Sequence, residues 1–477
     1  MEQFNYNKVT NELNKKNLDY TQRTIPFSNG TVKLFYILQI IDRTTFTESV
    51  LKPLILYCSS KENMINASMT VNGIIFADDC RIETDASKIE DYILEGLIVI
   101  LFSNDSEYVV VNLRNIEHRN VSPPEISYTV RGPKDCFTEN MDVNLSLIRY
   151  RIKDKNIRIK KYEVGTRTKA RVAVIYIEDI ANNKVVTEIT KKIEAVSVDG
   201  IGESGELQAF LLNNKMDLFP NMGLVERSDM ACHSLLDGKV LVLVDGSDIA
   251  LMAPKVFSEF FSSGDDRYDN KFFGVFARLL RYIAIIIAFT STSLFVALTS
   301  FHTDVLPSNY AIMLAEMRIN VPFSALVGTL ILELIIELLR EALIRVPKQI
   351  GSAVGIVASI VIGQAAISAG IFSPLLLIIV SVSFLASFAI PDYTLVNPFR
   401  ILKLFLLLFT GALGFFGFTL FLTVVLIELV SYNSFGVPYL APWAPFNSYD
   451  FVRTLINNIT INPKRPKYLN TKDKTKQ

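Results

Sequence analysis

Glu333, Glu337 and Glu341 recur at four-residue steps inside an otherwise apolar run, VPFSALVGTLILELIIELLREALI, residues 321–344. On a helix that spacing puts all three carboxylates on one face. A carboxylate in hydrocarbon costs about 2.5–3.5 kcal/mol even on the more lenient insertion scale, so it is tolerated where the helix faces protein or water. Glu333 lies about 15 Å beyond Phe323 at the helical rise, near the middle of a bilayer. Two readings stay open for Glu333 and Glu337. They face a pore or the interior of a helix bundle and attract cations, or they pair with Arg340 or a neighbouring helix and fix packing. Glu341 and Arg345, four residues apart, read as an ordinary interfacial pair. The hydroxyls of Thr290 to Ser293 either line a path or bond back to their own helix.

No other constellation points to chemistry. His118, His233 and His302 are the only histidines, and none belongs to an HExxH or comparable ligand set. There is no GxSxG. The loop DGIGESG (Asp199–Gly205) lacks both the GxxxxGK[ST] cradle and a GxGxxG fingerprint, so turn chemistry suffices to explain it. Cys58, Cys80, Cys136 and Cys232 are far apart without CxxC spacing, and read as reduced core thiols. No catalytic residue, metal ligand or cofactor site is expected, and the chain reads as a non-enzyme. Its zero net charge and pI of about 6.9 leave no basic footprint for nucleic acid.

The elements that must position the glutamates divide the 477 residues into unlike halves. The mean hydropathy of +0.31 conceals this division. Residues 1–30 read as a flexible arm, polar and without a signal-peptide core, so the first half is expected to stay in the cytoplasm. Residues 31–130 and 165–275 read as two α/β subdomains, joined by a helical connector over 131–164. An internal repeat supports the pair. KLFYILQIIDRTTFTESVLKPLIL from Lys33 parallels RVAVIYIEDIANNKVVTEITKKI from Arg171, and GLIVILFSNDSEYVVV from Gly96 parallels GKVLVLVDGSDIALM from Gly238. The second pair carries a hairpin signal. In the connector, Arg131, Gly132 and Pro133 read as a turn. Asn144, Leu147, Ile148, Arg151 and Ile152 follow at helical spacing, and the basic residues around them read as a solvated face or a docking surface.

Residues 276–446 read as an α-helical multi-span membrane domain of about five apolar segments. These are Tyr282–Phe301, Pro322–Leu339, Ser352–Phe372, Pro374–Ile390 and Leu404–Ile427. Gly351, Gly355, Ser359 and Gly363 form a small-residue stripe that suits close helix packing. Arg278 and Arg281 before the first segment favour a cytoplasmic amino side. Five passes would leave the basic tail, 447–477, outside, against the positive-inside rule. A re-entrant passage through Phe435–Phe446, or a fourth segment that dips without crossing, restores both termini to the inside.

Several motifs in order resemble the A subunits of the GerA family of bacterial spore germinant receptors. They include RGPKDCFTE (Arg131–Glu139), LIRYRIK (Leu147–Lys153), RTKARVAVIYIEDIAN (Arg167–Asn182) and DGIGESG. ELLREALIRVPKQIG (Glu337–Gly351), SFGVPYLAP (Ser434–Pro442) and RPKYLNTKDKT (Arg465–Thr475) follow. The resemblance implies a subunit of the spore inner membrane whose N-terminal domain faces the spore core. It implies a transporter-like B subunit and a lipoprotein C subunit as partners, and homo-oligomerisation into an ion channel opened by germinant. A SpoVAF-like paralogue that amplifies germination and a non-conducting scaffold are the alternatives. The chain departs from the family at IIDRTT (Ile40–Thr45), where an Asp-Gly pair is usual. It also departs at Ser247–Asp248 and at Cys136.

Overall fold

The computed structural model describes residues 6, 9–10, 13, 20–27, 30–59, 65–113, 132–212, 214, 217–268, 270–346, 363–456 and 464–475. The chain packs as two units. One comprises residues 1–215, 222–254 and 463–477, and the other residues 216–221 and 255–462.

The first unit carries two five-stranded sheets. One holds β1 (Thr21–Phe27), β2 (Gly30–Tyr36), β3 (Cys80–Glu83), β4 (Ile98–Phe102) and β5 (Tyr108–Val111), in the order β1-β2-β4-β5-β3. The other holds β6 (Ile157–Val164), β7 (Ala170–Ile177), β8 (Gly223–Val225), β9 (Val240–Val244) and β10 (Ala250–Ala253), in the order β6-β7-β9-β10-β8. The two orders are the same permutation, and the repeated sequences occupy matching places, β2 with β7 and the β4–β5 hairpin with β9–β10. The registered pairs within both sheets are antiparallel, and short hairpin turns join β1 to β2, β4 to β5, β6 to β7 and β9 to β10. IVILF and VLVLV, buried at every position, form the central strands. A continuous apolar run fits a strand covered on both faces, with about 1.5–3 kcal/mol for each fully buried large side chain.

The stretch read as a connector belongs to the second sheet's layer instead. Within it α1 (Met141–Arg151) is capped by Asn140. Met141, Leu145, Ile148 and Ile152 sit in one core with Ala231, Cys232 and Leu235 of α2 (Ser228–Asp237) and with Leu241 and Leu243 of β9. Asn144 turns from that stripe because its amide bonds the Thr138 backbone, donating to its carbonyl at 2.6 Å and accepting from its N–H at 2.7 Å. The C-terminal residues also join this unit. Lys472 N–H donates to the Ile180 carbonyl at 3.0 Å, Arg465 Nε donates to the Leu236 carbonyl at 2.8 Å, and Leu469 is buried.

The second unit is helical. It contains α3 (Lys271–Ser300), α4 (Ser308–Glu316), α5 (Ala325–Arg345), a helical stretch over 363–368, α6 (Pro374–Ser387) and α7 (Tyr393–Ser431). By length and composition, Phe272–Ser300 and α7 are long and apolar enough to cross a membrane, and α6 is a shorter apolar helix. The fifth apolar segment is not one straight pass. At Gly414 the backbone takes φ 63° and ψ −142°, a left-handed conformation open to glycine. The Phe409 and Phe421 rings then lie 5.2 Å apart, whereas residues twelve apart on a continuous helix are separated by about 18 Å. A Cβ on Gly417 would sit 2.1 Å from the Phe409 carbonyl oxygen, so the two limbs meet backbone to backbone. Thus α7 is a helical hairpin with limbs 393–413 and 415–431.

Phe435–Phe446, the candidate re-entrant passage, begins as a short hairpin of β11 (Asn433–Ser434) and β12 (Val437–Pro438). Tyr439 and Trp443 pack against Phe257, and Trp443 also against Tyr282. Aromatic contacts organise this stretch.

Candidate functional site

Ser324 caps α5 by accepting from Val327 N–H, and the apolar positions of the helix then carry Glu333 and Glu337 into the bundle. Opposite them the first limb of α7 supplies Lys403 and Arg400. Asp392 caps that limb by accepting from Thr394 N–H at 3.0 Å. Lys403 Nζ lies 2.5 Å from Glu333 Oε1. Arg400 donates from Nε to Glu337 Oε1 at 3.2 Å and also from its second terminal nitrogen to Oε2. The two rungs pair in opposite chain directions, 333 with 403 and 337 with 400, as antiparallel helices require.

Lys403 joins four helices. Its ammonium also donates to Ser383 Oγ of α6 at 2.8 Å, and that hydroxyl donates to the Ala288 carbonyl of α3 at 2.9 Å. Glu333 is 4% exposed and Lys403 9%. Removing one partner of such a pair strands the other charge in a low-dielectric interior, which costs about 3–5 kcal/mol. Beside the ladder is a cavity of about 30 Å³, room for one or two waters, lined by Glu333, Glu337, Arg340, Ser383, Arg400 and Lys403 among others. Arg340 donates to Ser387 Oγ at 3.2 Å and lies over the Phe384 and Phe388 rings, 5.1 and 5.5 Å from their centroids.

Glu341 and Arg345 pair at 2.6 Å on the exposed side of α5. Thr290 bonds back to the Ile286 carbonyl at 2.7 Å, while the buried hydroxyls of Ser291, Thr292 and Ser293 find no partner among the described residues. Gly351, Gly355 and Ser359 lie outside the described residues. For Gly363, an added Cβ would meet Leu377 of α6 at an ordinary 3.7 Å. Arg131 also lies outside them, and Gly132 takes φ 130°.

Beyond that turn the motif runs along Glu226–Ser228. Phe137 N–H donates to the Glu226 carbonyl at 2.7 Å, and Cys136 bridges Arg227. Arg151 pairs with Asp135 at 2.6 Å and donates from Nε to Ser228 Oγ at 2.9 Å. In DGIGESG, the Asp199 carbonyl accepts from the Arg167 and Thr168 N–H groups, and Ser247 Oγ donates to Ser204 Oγ at 3.0 Å. These contacts build turns. Burial pushes the thiols of Cys136 and Cys232 up to about 12, so both stay protonated near neutrality. Among the described residues no group of three or more His, Cys, Asp or Glu side chains could hold a metal ion.

Sequence reasoning placed Arg400 and Lys403 outside the last apolar segment, because an apolar window stops at charge. The complementary spacings, four residues on one run and three on the other, were the available signal.

The model of the Bacillus/Clostridium GerA spore germination protein family matches residues 7–468. Spore germination protein KA of Bacillus subtilis (strain 168) is 32% identical over 446 residues, covering 93% of this chain and 82% of that protein. Spore germination protein GerLA of Bacillus cereus is 38% identical over 384 residues, covering 80% and 78%. Among solved structures, the N-terminal domain of the A subunit of the Bacillus megaterium spore germinant receptor GerK3 aligns with a TM-score of 0.37. Its identity is 21%, over 53% of this chain and 93% of that one.

Proposed function

The chain belongs to the GerA family of spore germination proteins, and on that premise we propose that it is the A subunit of a nutrient germinant receptor. In this reading it sits in the spore inner membrane, oligomerises into an ion channel and works with a transporter-like B subunit and a lipoprotein C subunit. The observation that carries the reading is the Glu333–Lys403 and Glu337–Arg400 ladder, buried among apolar helices. Charge at that depth is costly and marks membrane segments that do more than anchor. In the resting protomer the ladder holds α5 against α7. When the two helices part, Glu333 and Glu337 become available to cations in a conduction path.

The packing supports a six-pass topology. Residues 464–475 dock on the same unit that the chain leaves at Pro254, so the number of intervening passes is even. The passes are α3, α5, α6 and the two limbs of α7, with the sixth assigned from sequence alone to the apolar run 352–372, whose first part lies outside the described residues. Both termini then face the spore core, and the basic tail obeys the positive-inside rule without re-entry at Phe435–Phe446.

Replacing Glu333 by Gln is expected to slow germinant-triggered ion release from spores while the receptor still assembles. Unchanged release at normal protein level sinks the pore role. A second reading, a non-conducting scaffold, is favoured by one observation: each carboxylate is already neutralised within its own protomer. Conductance of the purified assembly in planar bilayers separates the two. The paralogue reading, amplification of germination, predicts no B and C subunit genes beside this one.

A further inference from the structure

The cleft that holds the charge ladder is uneven from floor to rim. At its floor one cation meets one anion, Lys403 with Glu333, and Ser383 completes the contacts. At its rim two guanidiniums, Arg340 and Arg400, face a single carboxylate, Glu337. Arg400 takes both oxygens of that carboxylate. Arg340 makes no ion pair among the described residues, and its buried Nε meets no partner. The rim therefore carries one uncompensated positive charge. Beside it Leu385 of α6 and Phe388 just beyond α6 are apolar and exposed. Phe384 and Phe388 flank the guanidinium itself.

We propose that this rim binds the headgroup of an anionic phospholipid, whose phosphate accepts from Arg340 and Arg400 while its acyl chains lie on Leu385 and Phe388. The inference rests on the membrane reading above, in which the C-terminal end of α5 lies at the bilayer surface. Arg340 is five residues from that end, about 7.5 Å, which is within headgroup reach. An arginine fork matches phosphate geometry, and basic pockets between membrane helices suit anionic headgroups. The apolar collar distinguishes a lipid from free phosphate, because a small inorganic anion gains nothing from it. Binding there clamps the ends of α5, α6 and the first limb of α7 at the level of the Glu337–Arg400 rung. Anionic lipid thereby supports the paired state of the ladder.

The test is a titration of the purified full chain in neutral detergent with short-chain phosphatidylglycerol, short-chain phosphatidylcholine and sodium phosphate. Saturable binding of phosphatidylglycerol is expected, weakened by added salt, with much weaker binding of the other two. Equal binding of both lipids removes the charge recognition. Phosphate binding as tight as phosphatidylglycerol makes the site one for a free anion and overturns the lipid proposal. Arg340→Gln should weaken phosphatidylglycerol binding about fivefold, the worth of one basic side chain near an anionic surface. Arg340→Lys should recover part of it, and Arg345→Gln, on the exposed side of the same helix, should change nothing. An unchanged affinity in Arg340→Gln overturns the proposal. If that variant does not fold, salt-independent binding by the unaltered chain overturns it instead. Cysteine accessibility on either side of the membrane reports topology separately, so a failed membrane reading is distinguishable from a failed lipid site.

Discussion

In the sheet-bearing unit, the ion pairs among the described residues are either at least partly open to water or local. Arg171 meets Asp245 with 49% and 30% of the two side chains exposed. The fully buried pair, Arg227 with Asp229, joins residues two apart at the start of α2. In the helical unit the Glu333–Lys403 pair is both buried and long-range, linking one helix to another seventy residues on. The difference follows from what drives packing in each region. Water makes burial of IVILF and VLVLV strongly favourable, so the sheets do not depend on long-range buried ion pairs to assemble. Lipid is as apolar as leucine and gives helices no such reason to associate. Close packing and polar contacts between helices must then hold them in register.

If that contrast is right, the largest effects fall on the ladder. Glu333→Gln or Lys403→Met alone should destabilise the detergent-solubilised chain by about 3–5 kcal/mol, read from thermal unfolding. The double variant should regain most of that loss, because neither charge is then stranded. Fully additive losses would break the contrast. Next comes the α7 hairpin. Gly414→Val forces a β-branched residue to φ 63°, against the Phe301 ring 2.9 Å from its new Cβ. A cost of about 1–3 kcal/mol is expected. Cysteines at Phe409 and Phe421 should cross-link with a short reagent, and failure to do so would restore a single long helix. In the sheet unit, Asp135→Ala releases Arg151 and Ser228 from one shared carboxylate that is partly open to water. A loss of only about 1 kcal/mol is expected there, again from thermal unfolding.

Legibility in the sequence divides along similar lines. The central strands were plain because five consecutive apolar residues between turn signals have few other uses. The repeat of hairpins gave the matching halves of the two sheets. The small-core role of Met141, Leu145, Ile148 and Ile152 was missed because helical spacing reveals a face and not its partner. At the ladder, the glutamates announced themselves as charges in an apolar run. Their partners did not, since Arg400 and Lys403 look like an ordinary basic flank until the helix is known to start at Tyr393. Gly414 was hidden for a related reason. A glycine in a membrane-like run reads as a packing surface as readily as a point of reversal, and only the contact between residues twelve apart decides.

The smallest expected effect concerns the strap formed by residues 464–475. The Asp473 carboxylate accepts from the hydroxyl and N–H of Thr475 and from Arg465, and these hold it at about 2, below the ordinary 3.8. A carboxylate depressed in the folded state adds stability that is fully present above its unfolded value and is lost as pH falls through the folded one. The strap should therefore stay docked at pH 5 and loosen only as the pH approaches about 2. Hydrogen exchange at Lys472 N–H, which donates to the Ile180 carbonyl, reports this directly. Asp473→Asn should remove that acid-linked step while leaving exchange near neutrality almost unchanged, because the group is open to solvent and its pairing is weak. A large effect at neutral pH would mean that a surface pair anchors the chain's return to the sheet unit. The sheet and helical regions would then be held by the same kind of contact, and the contrast between them would fail.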